Sequence, residues 1–202
     1  MAAVFPVVAA AGHPTVLVAA EAAVLTAAVP RGIGEIMDFL KRFCRHLWMS
    51  PFQVRRAFPH ATLEAVQRAI ATGEKTHRGQ VRFVVEAELT TPQLWTGVTS
   101  RQRAIDIFSV LKVWDTEENN GVLVYVLLAD RKVEIIADRG IHRKVGDERW
   151  RAICKEIELR YRRGDFLGGS VTGIEKIGAE LAHGFPLRGG EKNEQSDAPV
   201  IM

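Results

Sequence analysis

Residues 114–140 read WDTEENNGVLVYVLLADRKVEIIADRG. A loop rich in acids and amides, Asp115-Thr116-Glu117-Glu118-Asn119-Asn120, enters an apolar run from Val122 to Leu128. A short turn leads to a second run, Val133 to Ala137, which ends on Asp138-Arg139-Gly140. The first run is apolar without alternation, the pattern of a strand covered on both faces. If the two runs pair as a hairpin, the loop before the first and the residues after the second share one edge of a sheet. That edge then gathers several oxygen ligands and one guanidinium, the composition of a divalent-cation or phosphate site. The alternative is a loop whose acids only cap and solvate a turn, with Asn120-Gly121 supplying left-handed backbone.

Helical and strand signals flank this hairpin. Leu63, Val66 and Ile70 form a helical stripe after Pro59-His60, and Val81-Arg82-Phe83-Val84-Val85 reads as a strand. Arg101 to Leu111 is a helix with Ala104, Ile107, Phe108 and Leu111 on one side and Ser100 as a candidate cap. Asp147 is a candidate cap for the next helix, whose face holds Trp150, Ile153, Cys154, Ile157 and Tyr161. Gly164-Asp165 breaks it, and a last helix runs from about Leu167 to His183, its glycines suited to close backbone packing. The order implies an α/β chain with a mixed sheet between two helical layers.

Before the domain, residues 1–36 are an apolar, low-complexity extension expected to be disordered. Pro6, Pro14, Glu21 and Pro30 interrupt any run long enough to span a bilayer, and no Lys or Arg precedes Arg31. The extension reads as an apolar tail, a weak membrane-associating segment, or the product of an unused upstream start, with Met37 opening a more ordinary sequence. Residues 37–59 form a basic amphipathic segment, with Leu40, Phe43 and Leu47 at helical spacing among Lys41, Arg42, Arg45, Arg55 and Arg56. Such a helix either lies on an anionic membrane as a peripheral contact or docks on its own domain or a second copy. After Pro186 the tail, 186–202, is polar and Gly-rich and is expected to be disordered.

Chemistry is bounded by what the chain lacks. A net charge of +3 and no dense basic stripe with stacking aromatics argue against nucleic acid as a partner. Cys44 and Cys154 make neither a metal pair nor a disulfide framework, and a buried free Cys154 suits a reducing cytoplasm. The acidic loop fails as an EF-hand, because the sixth and twelfth places from Asp115 hold Asn120 and Val126. No HExxH, CxxC, GxxxxGK or GxSxG motif is present. The oxygen donors still suit Ca²⁺ or Mg²⁺. Arg139 is placed to clamp a phosphate or to pair with Asp115 or Glu117, and His142 is the one histidine near the hairpin end.

At these residues the chain resembles the TPM domain family, which has members among thylakoid-lumen and bacterial envelope proteins. The resemblance rests on NNGVLVYVLLAD, KVEIIADRGI, Gly146-Asp147 and RRGDFLGGSVTGI, and covers about residues 60–185. It implies an α/β helix–sheet–helix sandwich around a central mixed sheet of about four strands. It also implies divalent-cation binding in a cleft at a sheet edge and, in some members, acid phosphatase activity. The family's Asn/Asp-Gly entry falls on Asn120-Gly121, its glycine-rich turn on Asp138-Arg139-Gly140, and its following acid on Asp147. The chain departs from the family in its longer WDTEENNG entry and its RGIHRKVGD turn, and resembles a short cytoplasmic branch.

Two functions follow as expectations. In one, Asp115, Asn120, Asp138 and Asp147 hold Ca²⁺ or Mg²⁺ in a phosphatase-like hydrolase of phosphomonoesters, with Arg139 steadying charge and His142 protonating the leaving group. In the other, favoured because no nucleophile is evident, the domain is a non-catalytic module. Its cation orders a loop for a protein partner or a membrane-associated assembly or repair complex.

Overall fold

The computed structural model describes residues 32–187 and 195–202. The expected N-terminal extension therefore lies outside the described residues as far as residue 31. Three helices come first: α1 (Ile33–Leu47), α2 (Pro51–Ala57) and α3 (His60–Gly73). They are followed by β1 (Gln80–Glu86), α4 (Thr91–Trp95) and α5 (Ser100–Val110). The hairpin is β2 (Gly121–Leu127) and β3 (Lys132–Ala137), and then come α6 (Arg139–Val145), α7 (Asp147–Arg162), α8 (Phe166–Gly184) and β4 (Val200–Ile201).

The sheet has four strands in the order β3-β2-β1-β4. β1 runs parallel to β2 and β4, and β2 pairs antiparallel with β3, so the sheet is mixed as expected. Every residue of β2 is buried, because helices cover both faces. On one face Val81, Phe83, Val122, Val124 and Ile135 pack under α3, α7 and α8 through Val66, Ile70, Ile153, Ile157 and Ile177. On the other, Val84, Leu123, Tyr125 and Ile136 pack under α5 through Ala104 and Ile107. The glycines of α8 act as foreseen: a Cβ on Gly173 would stand 2.5 Å from Ile157 Cδ1 of α7. Caps differ in detail. Thr99, not Ser100, caps α5, in a reciprocal pair with Gln102. Asp147 occupies the first turn of α7 while Gly146 is its cap.

The segment 37–59 is two helices rather than one, and its first begins before residue 37, at Ile33. α1 docks on its own domain by an unexpected face. His46 is 1% exposed, its Nδ1 accepts from the Leu89 N–H at 3.0 Å, and its Nε2 therefore donates to Asp130 Oδ1 at 3.0 Å. Arg42 donates to the same carboxylate through Nε and Nη2, and to the Val98 carbonyl. Burial works to raise the Asp130 carboxyl, but the hydrogen bonds from His46 and Arg42 together outweigh it and hold it at about 2.

The tail departs from the expected disorder at its end. Val200 and Ile201 pair with Val84 and Val85, and the Arg82 guanidinium, on a buried strand, donates to the Ser196 carbonyl. An edge strand with free N–H and C=O groups recruits such a partner. Beside it, burial first and the Asp197 carboxylate second push the Glu74 carboxyl up to about 8. A carboxyl raised in the folded state gives stability that is complete below pH 4.5 and lost as pH climbs through about 8. Between about pH 5 and about pH 9 the melting temperature of the wild type is therefore expected to fall more than that of Glu74→Gln. Equal slopes would show that the Glu74–Asp197 contact does not hold the tail.

Candidate functional site

The hairpin register joins the two halves of the expected site. Val122 pairs with Ala137, and just beyond them the Asp138 N–H donates to the Gly121 carbonyl at 2.8 Å. The Ile141 N–H donates to the Asn119 carbonyl at 3.2 Å. Two glycines permit this closeness. A Cβ on Gly140 would stand 2.5 Å from the Asn119 carbonyl oxygen, and one on Gly121 would stand 1.9 Å from that of Val113. The left-handed residue is Asn119 (φ 54), one place before the expected Asn120-Gly121 pair.

Asn120 and Asp138 are both buried here. The Asn120 amide nitrogen donates to the Arg78 carbonyl at 3.1 Å, and its N–H donates to Thr116 Oγ1. Asp138 caps α6: its Oδ1 accepts from the Arg139 N–H at 2.6 Å. Among the described residues its Oδ2, which is buried, has no hydrogen-bond partner. A buried carboxylate oxygen left unpaired is costly, and a bound cation is one way to satisfy it.

Arg78 is the residue that sequence reading missed. Its guanidinium pairs with Glu118 and donates through Nε to the Pro186 carbonyl, and its N–H donates to the Phe185 carbonyl. It thereby ties the acidic loop to the entry of β1 and the exit of α8. The only hint in the sequence is its place just before Gly79 and the β1 run. Its relevance depends on β1 lying parallel to β2, with Gln80 opposite Gly121, so that both strands start at the same edge.

The remaining candidates lie apart from this pair. Asp115 is exposed, in a turn closed by its N–H on the Lys112 carbonyl. Asp147 is exposed at the start of α7, 3.6 Å from Arg151 and 3.9 Å from His142 Nε2. Asp147 and His142 line a cleft of about 770 Å³ along β3 and α7, together with Arg101, Trp150 and Glu158; Asn120 and Asp138 do not line it. Arg139 is exposed, and its carbonyl accepts from Arg143 Nε. Among the described residues no three His, Cys, Asp or Glu side chains are grouped so as to hold a metal ion. The expected set of Asp115, Asp138 and Asp147 is thus not one such group, because the start of α7 follows the packing of α7 on β3 rather than the hairpin end. Any cation at Asp138 would have to draw on amide and backbone oxygens as well, which Ca²⁺ and Mg²⁺ accept.

Two other groups are accounted for structurally. Burial pushes the Cys154 thiol up to about 12, which disfavours the reactive thiolate, and both cysteines are free. Under α5, Glu86 accepts from Arg103 and from the Tyr125 hydroxyl, a buried polar cluster at the far end of β1.

A family model described as the TPM domain matches residues 55–180. Among solved structures the chain is similar to the NMR structure of the BA42 protein from the psychrophilic bacterium Bizionia argentinensis. The two are 32% identical with a TM-score of 0.62, over 70% of this chain and 93% of that one. No curated protein matches the chain.

Proposed function

The chain belongs to the TPM domain family, and from that premise we propose a divalent-cation-binding, non-catalytic module for protein interaction. Ca²⁺ or Mg²⁺ is held by Asp138 with the amide oxygen of Asn120. The observation that carries this reading is the buried Oδ2 of Asp138, without a hydrogen-bond partner among the described residues, at a hairpin end where the Asp138 N–H is bonded to the carbonyl of Gly121, the neighbour of Asn120. The cation supplies charge neutralisation. The chain's own groups do the rest: Arg78 and Glu118 hold the loop, Gly140 lets it approach, and Asp115 and Glu117 are presented on its exposed side as the recognition edge for a partner. His142, turned to Asp147, and Arg139, exposed, support a binding role over phosphoryl chemistry. Free thiols at Cys44 and Cys154 support a cytoplasmic setting.

The test is thermal denaturation with increasing Ca²⁺ or Mg²⁺, together with hydrolysis of a generic phosphomonoester with and without EDTA. The wild type is expected to melt higher as metal rises, because the ligand binds only the folded state. Asp138→Asn is expected to fold at least as stably without metal and to lose the metal response, since the amide removes the unpaired charge. Turnover is expected from neither protein. EDTA-sensitive turnover lost in Asp138→Asn would replace this reading with the phosphatase-like hydrolase. A melting temperature indifferent to both metals would end both.

A further inference from the structure

α1 carries two apolar faces, and among the described residues only one is covered. Phe39, Arg42, Phe43 and His46 face the domain, where Phe39 meets Trp95 edge-on at 5.9 Å and His46 is buried. At about 100° per residue, Ile33, Ile36, Met37, Leu40, Cys44 and Leu47 fall on a second stripe turned to solvent. Its members are exposed to degrees unusual for large apolar groups, Ile33 at 83% and Leu47 at 69%. The stripe continues past the helix end into Trp48 at 82% and Phe52 of α2 at 71%. A contiguous exposed patch of this kind marks an interaction surface rather than scattered surface residues.

The rim of the patch identifies what it fits. Lys41, Arg45, Arg55 and Arg56 are exposed along it, against the two acids Glu35 and Asp38 of α1. Lys41 and Arg45 follow one border of the stripe, and Arg55 and Arg56 lie beside Phe52. Leucine and isoleucine on one face, tryptophan and phenylalanine at one end, and arginine and lysine on the flank form the composition of a helix lying in a lipid headgroup region. With Lys41, Arg45, Arg55 and Arg56 against only Glu35 and Asp38, a self-complementary face would keep an excess of positive charge, which anionic headgroups neutralise. The sequence just upstream, residues 16–29, is VLVAAEAAVLTAAV, with Glu21 its only charge. Among the described residues no helix is long and apolar enough to cross a membrane. We infer that the α1–α2 face docks on an anionic lipid surface, with the stripe from Ile33 to Phe52 in the acyl boundary and the cations against headgroups. The Arg42–Asp130–His46 anchor holds the domain at a set orientation to that surface.

The test uses the full chain in flotation with two kinds of vesicle: phosphatidylcholine alone, and phosphatidylcholine mixed with phosphatidylglycerol. Binding is expected to the mixed vesicles, weakening with salt, and much less to the neutral ones. The double variant Ile36→Glu, Leu40→Glu places two charges on exposed positions, so its melting temperature should match the wild type while its partitioning falls roughly 100-fold. Arg55→Glu with Arg56→Glu is expected to reduce binding to the level seen with neutral vesicles. The inference is overturned if neither vesicle binds the wild type, or if the Ile36, Leu40 variant binds as well as the wild type. It is equally overturned if light scattering finds a dimer that this variant dissolves while vesicles remain unbound, which would assign the face to a second copy.

Discussion

Replacing Arg103 with alanine is expected to destabilise the fold by about 3–5 kcal/mol, the cost of breaking a buried ion pair from one side. Glu86 ends β1 with its side chain 8% exposed, and Arg103 Nη2 lies 2.7 Å from its Oε1 while Nε lies 2.9 Å from its Oε2. The Tyr125 hydroxyl donates to the same Oε2 at 2.5 Å. Burial, and then the bond to Glu86, drive the tyrosine pKa up, so the hydroxyl stays a donor. Without Arg103 the carboxylate keeps only that one strong donor in an environment that disfavours charge. Chemical denaturation of Arg103→Ala measures the loss. The triple variant Arg103→Met, Glu86→Met, Tyr125→Phe is expected to recover most of it, because the buried pair and the hydroxyl bonded to it are replaced together with apolar groups at little net cost. A loss below about 1 kcal/mol in the single variant would mean that the pair behaves as a solvated surface bridge.

That cluster also shows where sequence reading stops. The strands were legible because Val122–Leu127 and Val81–Val85 must be covered on both faces, and pattern alone expresses that demand. The approach of the acidic loop to the residues after β3 was legible because a hairpin brings both to one sheet end, where the register sets Asp138 opposite Gly121, the residue after Asn120. Asp147 was misplaced because it follows α6, and its direction is set by how α7 packs on β3, a tertiary fact without periodic trace. Arg78 was missed for a related reason. Its contacts with Glu118, Asn120 and Phe185 exist only because β1 sits beside β2 in parallel, which no local signal declares. Arg103 reads as an exposed helical residue until α5 is laid across the sheet. For α1, Leu40, Phe43 and Leu47 look like one face, yet Phe43 packs toward the domain while Leu40 and Leu47 face solvent. Two overlapping stripes on one helix defeat a reading that assumes a single buried face.

Gly121→Ala is expected to cost about 3 kcal/mol or more, near the upper end of overpacking effects. The added methyl would stand 1.9 Å from the Val113 carbonyl oxygen and 3.2 Å from Val113 Cγ1. Neither can yield cheaply: Val113 is fully buried, and its N–H is bonded to the Phe108 carbonyl. Relief requires the start of β2 to move away from residue 113, which carries Asn120 away from Asp138 because Gly121 is the residue between Asn120 and the paired strand. Gly140→Ala presses on the same loop from the other side, against the Asn119 and Glu118 carbonyls, and is expected to cost about 2 kcal/mol. Both variants should lose the metal-dependent rise in melting temperature along with stability. Gly34→Ala, on the exposed face of α1 with nothing within 4 Å of the new methyl, is the contrast. There the same substitution should stabilise by up to about 1 kcal/mol, since alanine outranks glycine within a helix and meets no neighbour. Denaturation midpoints of the three variants measure the difference. If Gly121→Ala tracks Gly34→Ala, the close approach of β2 to residue 113 is relaxed in solution, and the tight sheet end on which the cation proposal depends does not exist there.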